Sequence, residues 1–322
     1  MEGVRGPRSG PLETARIPVL VPELRINYAQ PRASPDNLPR LHFLAAIVGS
    51  RGSGKTTALV RLLKAYFRTH SFDKLVLFCP TLRADPKYQA LVKSAERHRV
   101  KVDTHEAFDD ALFESTVEQI NADIEEEKAE RAYAEVYQRC VVKGGEPSAD
   151  DVVLLEERDY EEPPKPKWKR GTPTTVLIFD DLVGNRDLYR SDAKGPVASF
   201  AIRHRHHHTS MIFLTQTYHN GVPRQLRANL SLLILFANKN DAMRKQVAAE
   251  FSSFVPQQRF LDMWDSAVGA GSAVAATADT ASGRGAVGAV IPHHFFMCDF
   301  DAQNPQLRFR KNFDQIFLGS QG

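Results

Sequence analysis

The sequence predicts an α/β fold built on a doubly wound, mainly parallel sheet flanked by helices. Three observations carry that expectation: short apolar runs recur along the chain, helical patterns alternate with them, and a glycine-rich segment joins the first run to the first helix. The runs are LHFLAAIVG from Leu41, KLVLFCP from Lys74, TVLIFDD from Thr175, MIFLTQT from Met211 and SLLILFAN from Ser231. Each has the length of a strand buried on both faces, where apolar residues need not alternate with polar ones. After the glycine-rich segment, Leu59, Leu62, Leu63, Tyr66 and Phe67 recur at helical spacing, with Arg61, Lys64 and Arg68 off that face.

The chain has 322 residues, 42% of them hydrophobic and 25% charged, the mixture of an ordinary globular protein, and its length suits one large α/β domain. Its net charge of +3 means that contact with a polyanion must come from local basic clusters, not from an overall field. Cys79, Cys140 and Cys298 lie far apart, which excludes a CxxC zinc site and a disulfide framework and suits a reducing compartment. No apolar run is long enough to span a membrane, so no transmembrane segment is expected.

Residues 1–40 carry a proline every few positions and read as an extended tail, leaving 41–318 as the folded domain. Within it, about 109–173 is helical by propensity but dense in charge, and reads as a solvated helical insertion followed by a Pro-rich linker. About 268–290 is rich in Ala, Gly, Ser and Thr and reads as a low-complexity loop. Beyond it, HHFFMCDFDA and LRFRKNFDQIF predict a final strand and a short closing element.

The chemistry starts at Gly49-Ser50-Arg51-Gly52-Ser53-Gly54-Lys55-Thr56, which matches G-x-x-x-x-G-K-[ST] after a strand and at the head of a helix. In such a P-loop the glycines let backbone N–H groups face phosphate oxygens at a helix N-terminus. Lys55 then reaches the β and γ oxygens, Thr56 offers its hydroxyl to Mg²⁺, and Thr57 completes the cradle. The fold thereby becomes a P-loop NTPase, RecA/ASCE-like in type. TVLIFDD delivers two carboxylates to the carboxyl edge of the sheet: Asp180 as the Mg²⁺ partner and Asp181 as the general base for water. Gln216, at the tip of MIFLTQT, is placed to bond the γ-phosphate or orient the water.

Together the P-loop, the DD strand end, IRHRHHH, LTQT, VPRQLRANLSLLILF and FFMCDFDAQNPQLRFRKNF resemble the poxvirus-type DNA-packaging ATPases of nucleocytoplasmic large DNA viruses, within the FtsK-HerA superfamily. The resemblance runs from Leu41 to Phe317. It implies an ATP-hydrolysing, DNA-stimulated motor that packages viral double-stranded DNA into a capsid as a homo-oligomeric ring, with ATP and Mg²⁺ as cofactors. It further implies work in the host cytoplasm at a viral factory or in the virion, docked to capsid or inner-membrane viral proteins. Such motors use an arginine on the transferring phosphoryl group, often from a neighbouring subunit, and Arg205 and Arg227 match the family's arginine positions, with Arg203 and Arg224 as competitors.

Basic residues around Trp168 (Lys165, Lys167, Lys169 and Arg170) and the Arg203–His208 cluster are further candidates for DNA phosphates. The histidine run is read as cationic surface, because adjacent helical residues point around the axis and cannot converge on one metal ion. A rival reading stays open at this point. Asp181-Leu-Val-Gly184 fits DxxG and Asn238-Lys-Asn-Asp241 fits NKxD, the switch and guanine-reading motifs of a GTP-binding switch protein.

Overall fold

The computed structural model describes residues 38–168, 171–182, 195–269 and 293–317. The proline-rich tail up to residue 37 and the low-complexity loop from 270 lie outside them.

All five apolar runs form strands: β1 (Leu44–Val48), β2 (Lys74–Phe78), β4 (Thr175–Asp180), β5 (Thr209–Thr215) and β6 (Leu232–Leu235). The sheet has nine strands among the described residues. A shorter edge strand, β3 (Lys101–His105), completes the parallel part of the order β3-β2-β4-β5-β1-β6. Past β6 the chain turns antiparallel through β7 (Phe296–Asp299), β8 (Phe309–Lys311) and β9 (Gln315–Ile316). The expected closing element is therefore a pair of strands that extends the sheet.

Alternate residues of β1 point to opposite faces, and each face has its own core. Phe43, Ala45 and Ile47 pack beneath α1 (Lys55–Arg68) and α2 (Pro86–Arg97), against Leu59, Leu62, Tyr66, Tyr88 and Leu91. Leu44, Ala46 and Val48 belong to the other core, which takes side chains from α3 (Asp110–Tyr137), α5 (Pro196–Arg203), α8 (Asp241–Glu250) and α9 (Gln257–Gly269), the shorter helices α4 (Ala149–Glu156), α6 (Tyr218–Gly221) and α7 (Arg224–Arg227) falling between them in sequence. There Phe78, Phe179 and Phe213 stack across neighbouring strands at 5.3 and 4.7 Å between ring centres. Each such ring adds about 2–3 kcal/mol of burial, so the strand order is fixed mainly by these two apolar layers.

The helix α3 corrects the reading of the charged stretch as a solvated insertion. Phe113, Ile120 and Ile124 on its first half are buried in the core beside Phe179 and Phe200. Asp123, on the same face, meets the buried ammonium of Lys74 at 3.4 Å. The charges of its second half pair locally, Lys128 with Glu125 and Arg131 with Glu127. A stripe of three apolar residues among many charges suffices to dock a helix while leaving its sequence looking hydrophilic. The following linker is tied to the same helix, since Arg158 pairs with Glu130 and Lys167 with Glu126, both at 2.7 Å, and the ring of Trp168 is buried.

Candidate nucleotide-binding site

Because β1, β2, β4, β5 and β6 run parallel, their carboxyl ends open on one edge, and the sequence motifs converge there. The glycine-rich loop leaves β1, with Gly49 N–H donated to the carbonyl of Thr215 at the end of β5 (3.1 Å). At Gly54, the residue before α1, φ is +102°, a left-handed conformation that side-chain-bearing residues resist. A Cβ at Gly54 would also come within 2.6 Å of the His293 side chain, so glycine is required there twice over. Lys55 donates to the carbonyls of Gly49 and Ser50 at 2.8 and 3.0 Å, holding its ammonium over the loop. Burial pulls its pKa down against the opposing pull of Asp180 and Asp181.

The loop forms one wall of a cleft of about 540 Å³, lined by Arg51, Gly52, Lys55, Thr56, Asp180, Asp181 and Gln216, with Asp85 and Lys87 from the head of α2 opposite. Thus the P-loop lysine and threonine, both carboxylates and the glutamine expected from sequence come together. Ser50, Ser53 and Thr57 complete the segment but do not line this cleft. Asp180 is buried at the end of β4, and burial raises its pKa. Asp181, one residue beyond, turns into the left-handed region (φ 53°) and is exposed, so the adjacent carboxylates face different surroundings.

Gln216 is carried into the cleft by β5, the strand between β1 and β4. Strands lie about 4.8 Å apart, which puts Asp180 two strands from the P-loop strand and Gln216 between them. That is the RecA/ASCE-like arrangement: a P-loop, an acidic strand two places away and a polar tip on the intervening strand. Thr215 also lines the cleft, its hydroxyl donating to the carbonyl of Thr217 (3.0 Å). Gly221 packs so tightly on it that a Cβ would lie 1.6 Å from the Thr215 hydroxyl.

Sequence reasoning missed Tyr88 and Cys79. Tyr88, wholly buried on α2, donates its hydroxyl to Asp180 Oδ2. Burial beside Asp180 raises its pKa well above the ordinary range. Cys79 Sγ, just past β2, lies 3.9 Å from the same carboxylate oxygen, and its thiol pKa is also raised by burial. A signal for Tyr88 was present: Asp85-Pro86 after the β2 run is an N-cap followed by proline at the first helical position, which starts a helix at this edge of the sheet.

The two arginines expected near the phosphates lie outside the cleft of their own chain. Arg205 is in the short 3-10 turn before β5, at the amino edge of the sheet, where it pairs with Asp301 at 2.6 Å and remains 57% exposed. The length of β5 separates it from Gln216, about 20 Å at 3.3 Å per residue. Arg227 is 13% exposed and donates to the carbonyls of His219 and Val222 (3.0 and 3.1 Å) beside Glu250 and the Tyr218 ring. Arg203 and Arg224 are exposed. The histidine run is not wholly cationic surface. His204 is buried against the Ala201 carbonyl, with burial lowering its pKa, and His207 meets Asn121. Of the basic residues near Trp168, Lys167 is engaged by Asp123 and Glu126, while Lys169 and Arg170 fall outside the described residues.

The guanine-reading motif has a local structural job. Asn240 caps α8 by accepting from Met243 N (3.0 Å), Asn238 accepts from Asn240 N, and Asp241 pairs with Lys245 at 3.0 Å. Gly184 of the DxxG match is outside the described residues.

No protein-family model matches the chain, and no curated protein matches it. Solved structures of similar fold include the genome packaging NTPase B204 of Sulfolobus turreted icosahedral virus 2 in complex with ATPγS. It is 12% identical over 84% of this chain and 96% of that one, with a TM-score of 0.43. ATPases 2 and 3 of EssC from Geobacillus thermodenitrificans are 15% identical over 87% of this chain and 40% of theirs, with a TM-score of 0.38. The pCW3 conjugation coupling protein TcpA is 12% identical over 65% of this chain and 52% of that one, with a TM-score of 0.31.

The donor set suits Mg²⁺. Thr56 and Asp180 are hard oxygen ligands at one wall of a cleft wide enough for a triphosphate, and Mg²⁺ is ordinarily held by one or two carboxylates completed by substrate phosphates and water. Among the described residues there is no cluster of three His, Cys, Asp or Glu side chains that would hold a metal by itself.

Proposed function

We propose that this chain hydrolyses ATP to drive double-stranded DNA through a homo-oligomeric ring, as a packaging motor of the poxvirus type. The observation that carries the hydrolytic half is the convergence of Lys55, Thr56, Asp180, Asp181 and Gln216 on one cleft at the carboxyl edge of the sheet. DNA as the cargo, the ring, and capsid or inner-membrane docking rest on the motif resemblance across Leu41 to Phe317.

The P-loop amides and Lys55 bind the β- and γ-phosphates and neutralise their charge. Mg²⁺, taken by Thr56 and Asp180, would withdraw charge from the phosphoryl oxygens. Asp181, exposed at the mouth of the cleft, accepts a proton from the attacking water while Gln216 orients that water against the γ-phosphate. Of the two arginines, Arg205 is the better donor in trans: it is exposed at the opposite edge, where a neighbouring subunit's cleft can receive it, whereas Arg227 is spent inside its own subunit. The switch-protein alternative is disfavoured because Asn240 and Asp241 are engaged in capping and pairing along α8.

The test is steady-state phosphate release with Mg²⁺ from ATP and from GTP, with and without duplex DNA. ATP is expected to be preferred and DNA to raise the rate. A strong preference for GTP, or no turnover even with DNA, refutes the reading. An arginine supplied in trans further requires activity to rise faster than linearly with protein concentration; strict proportionality across the assembly range counts against it.

A further inference from the structure

Tyr88 has a wholly buried ring in the core under α1 and α2, packed with Leu59, Leu62 and Leu91, and a buried phenol must find a partner for its hydroxyl. Among the other buried tyrosines, Tyr66 donates to the Pro39 carbonyl and Tyr133 to that of Glu161, while Tyr218 donates to the Glu250 carboxylate away from the cleft. Tyr88 instead uses a group of the nucleotide cleft, Asp180 at the end of β4.

The direction of this bond follows from chemistry. An ionised carboxylate only accepts, so the single O–H of Tyr88 points to Asp180 Oδ2. Asp180 is pinned through one oxygen. The carboxylate expected to hold the cation is thus fixed by a residue that lies outside both motifs.

We propose that Tyr88 is a positioning residue that orients Asp180 as a preformed ligand for the nucleotide-bound divalent cation. The proposal rests on the nucleotide-binding reading of the cleft. Removing an outer partner of a metal ligand ordinarily costs about 10–100-fold in metal affinity.

Tyr88→Phe in the full chain tests it, since the ring and its packing are kept and only the hydroxyl is lost. The probe is Mn²⁺ in place of Mg²⁺, its binding to the protein with a non-hydrolysable ATP analogue followed by electron paramagnetic resonance. Alongside it, affinity for a fluorescent ADP is measured in EDTA. The variant is expected to bind Mn²⁺ about tenfold more weakly, with metal-free nucleotide affinity within about twofold of wild type. On an Asp180→Asn background, where the pinned carboxylate is gone, the same substitution is expected to cost much less. Unchanged Mn²⁺ affinity overturns the proposal, as does an equal loss of metal-free nucleotide affinity, which would mark Tyr88 as packing alone. Failure of the underlying reading has its own signature: wild type and Lys55→Ala would bind the fluorescent nucleotide alike.

Discussion

The two edges of the central sheet use the same kinds of residue in opposite ways. At the carboxyl edge, Lys55, Asp180, Asp181 and Gln216 come from two strand ends and a helix start and line one cleft. At the amino edge, charged groups are matched among themselves: Arg205 with Asp301, and the buried Arg310 with Asp299 at 3.1 Å. Arg227, on the face of the sheet, is likewise consumed by carbonyls and Glu250. Charge density therefore does not mark the working edge. What marks it is charge from separate elements that converges on a space instead of on a partner.

Substitutions on either side of this divide sharpen the contrast. The largest effect is expected from Arg205→Ala, because an arginine acting in trans on the phosphoryl group is worth about 10³-fold or more in rate. Its loss should leave nucleotide affinity unchanged and stability within about 1 kcal/mol, as for an exposed ion pair. Full activity of this variant in the assembled state would confine Arg205 to its pairing with Asp301. Next comes Asp181→Asn, with a fall in kcat of about 10²-fold at nearly constant KM if the exposed carboxylate is the base. An effect on KM alone would reassign it to binding. For Gln216→Ala a drop in kcat of about tenfold is expected, smaller because orienting the water is shared with Asp181. Arg227→Ala should have the least effect on turnover per folded molecule and its main effect on stability, a loss of about 2–3 kcal/mol readable as a lower Tm, because buried carbonyls and Glu250 lose their donor. A stable but inactive Arg227→Ala would exchange the roles assigned to the two arginines.

The sequence revealed the cleft better than it revealed what surrounds the cleft, for physical reasons. Gly49 to Thr56 is legible because phosphate binding constrains consecutive backbone positions. TVLIFDD and MIFLTQT are legible because strands buried on both faces must be continuously apolar up to the residue that emerges. The strand β3 escaped notice because it is an edge strand, partly exposed along its length, and its residues KVDTH lack that signature. The first half of α3 was hidden for a similar reason: its docking stripe of Phe113, Ile120 and Ile124 is diluted by charges whose partners are local. Tyr88 is the hardest case, since its link to Asp180 spans 92 positions and depends on how α2 packs over β2 and β4. The arginines show the converse limit. Motif likeness singled out Arg205 and Arg227 together, and only their surroundings distinguish a solvent-facing group from one locked into the fold.

The central claim, that the carboxyl-edge cleft performs the hydrolysis, is tested most directly by phosphate release from ATP with Mg²⁺ and duplex DNA, comparing wild type with Lys55→Ala. The account predicts turnover by wild type and a loss of about 10³-fold in the variant with its Tm retained, since Lys55 supplies cationic stabilisation at the phosphates and contributes little to the core. Equal turnover by the two proteins would contradict it.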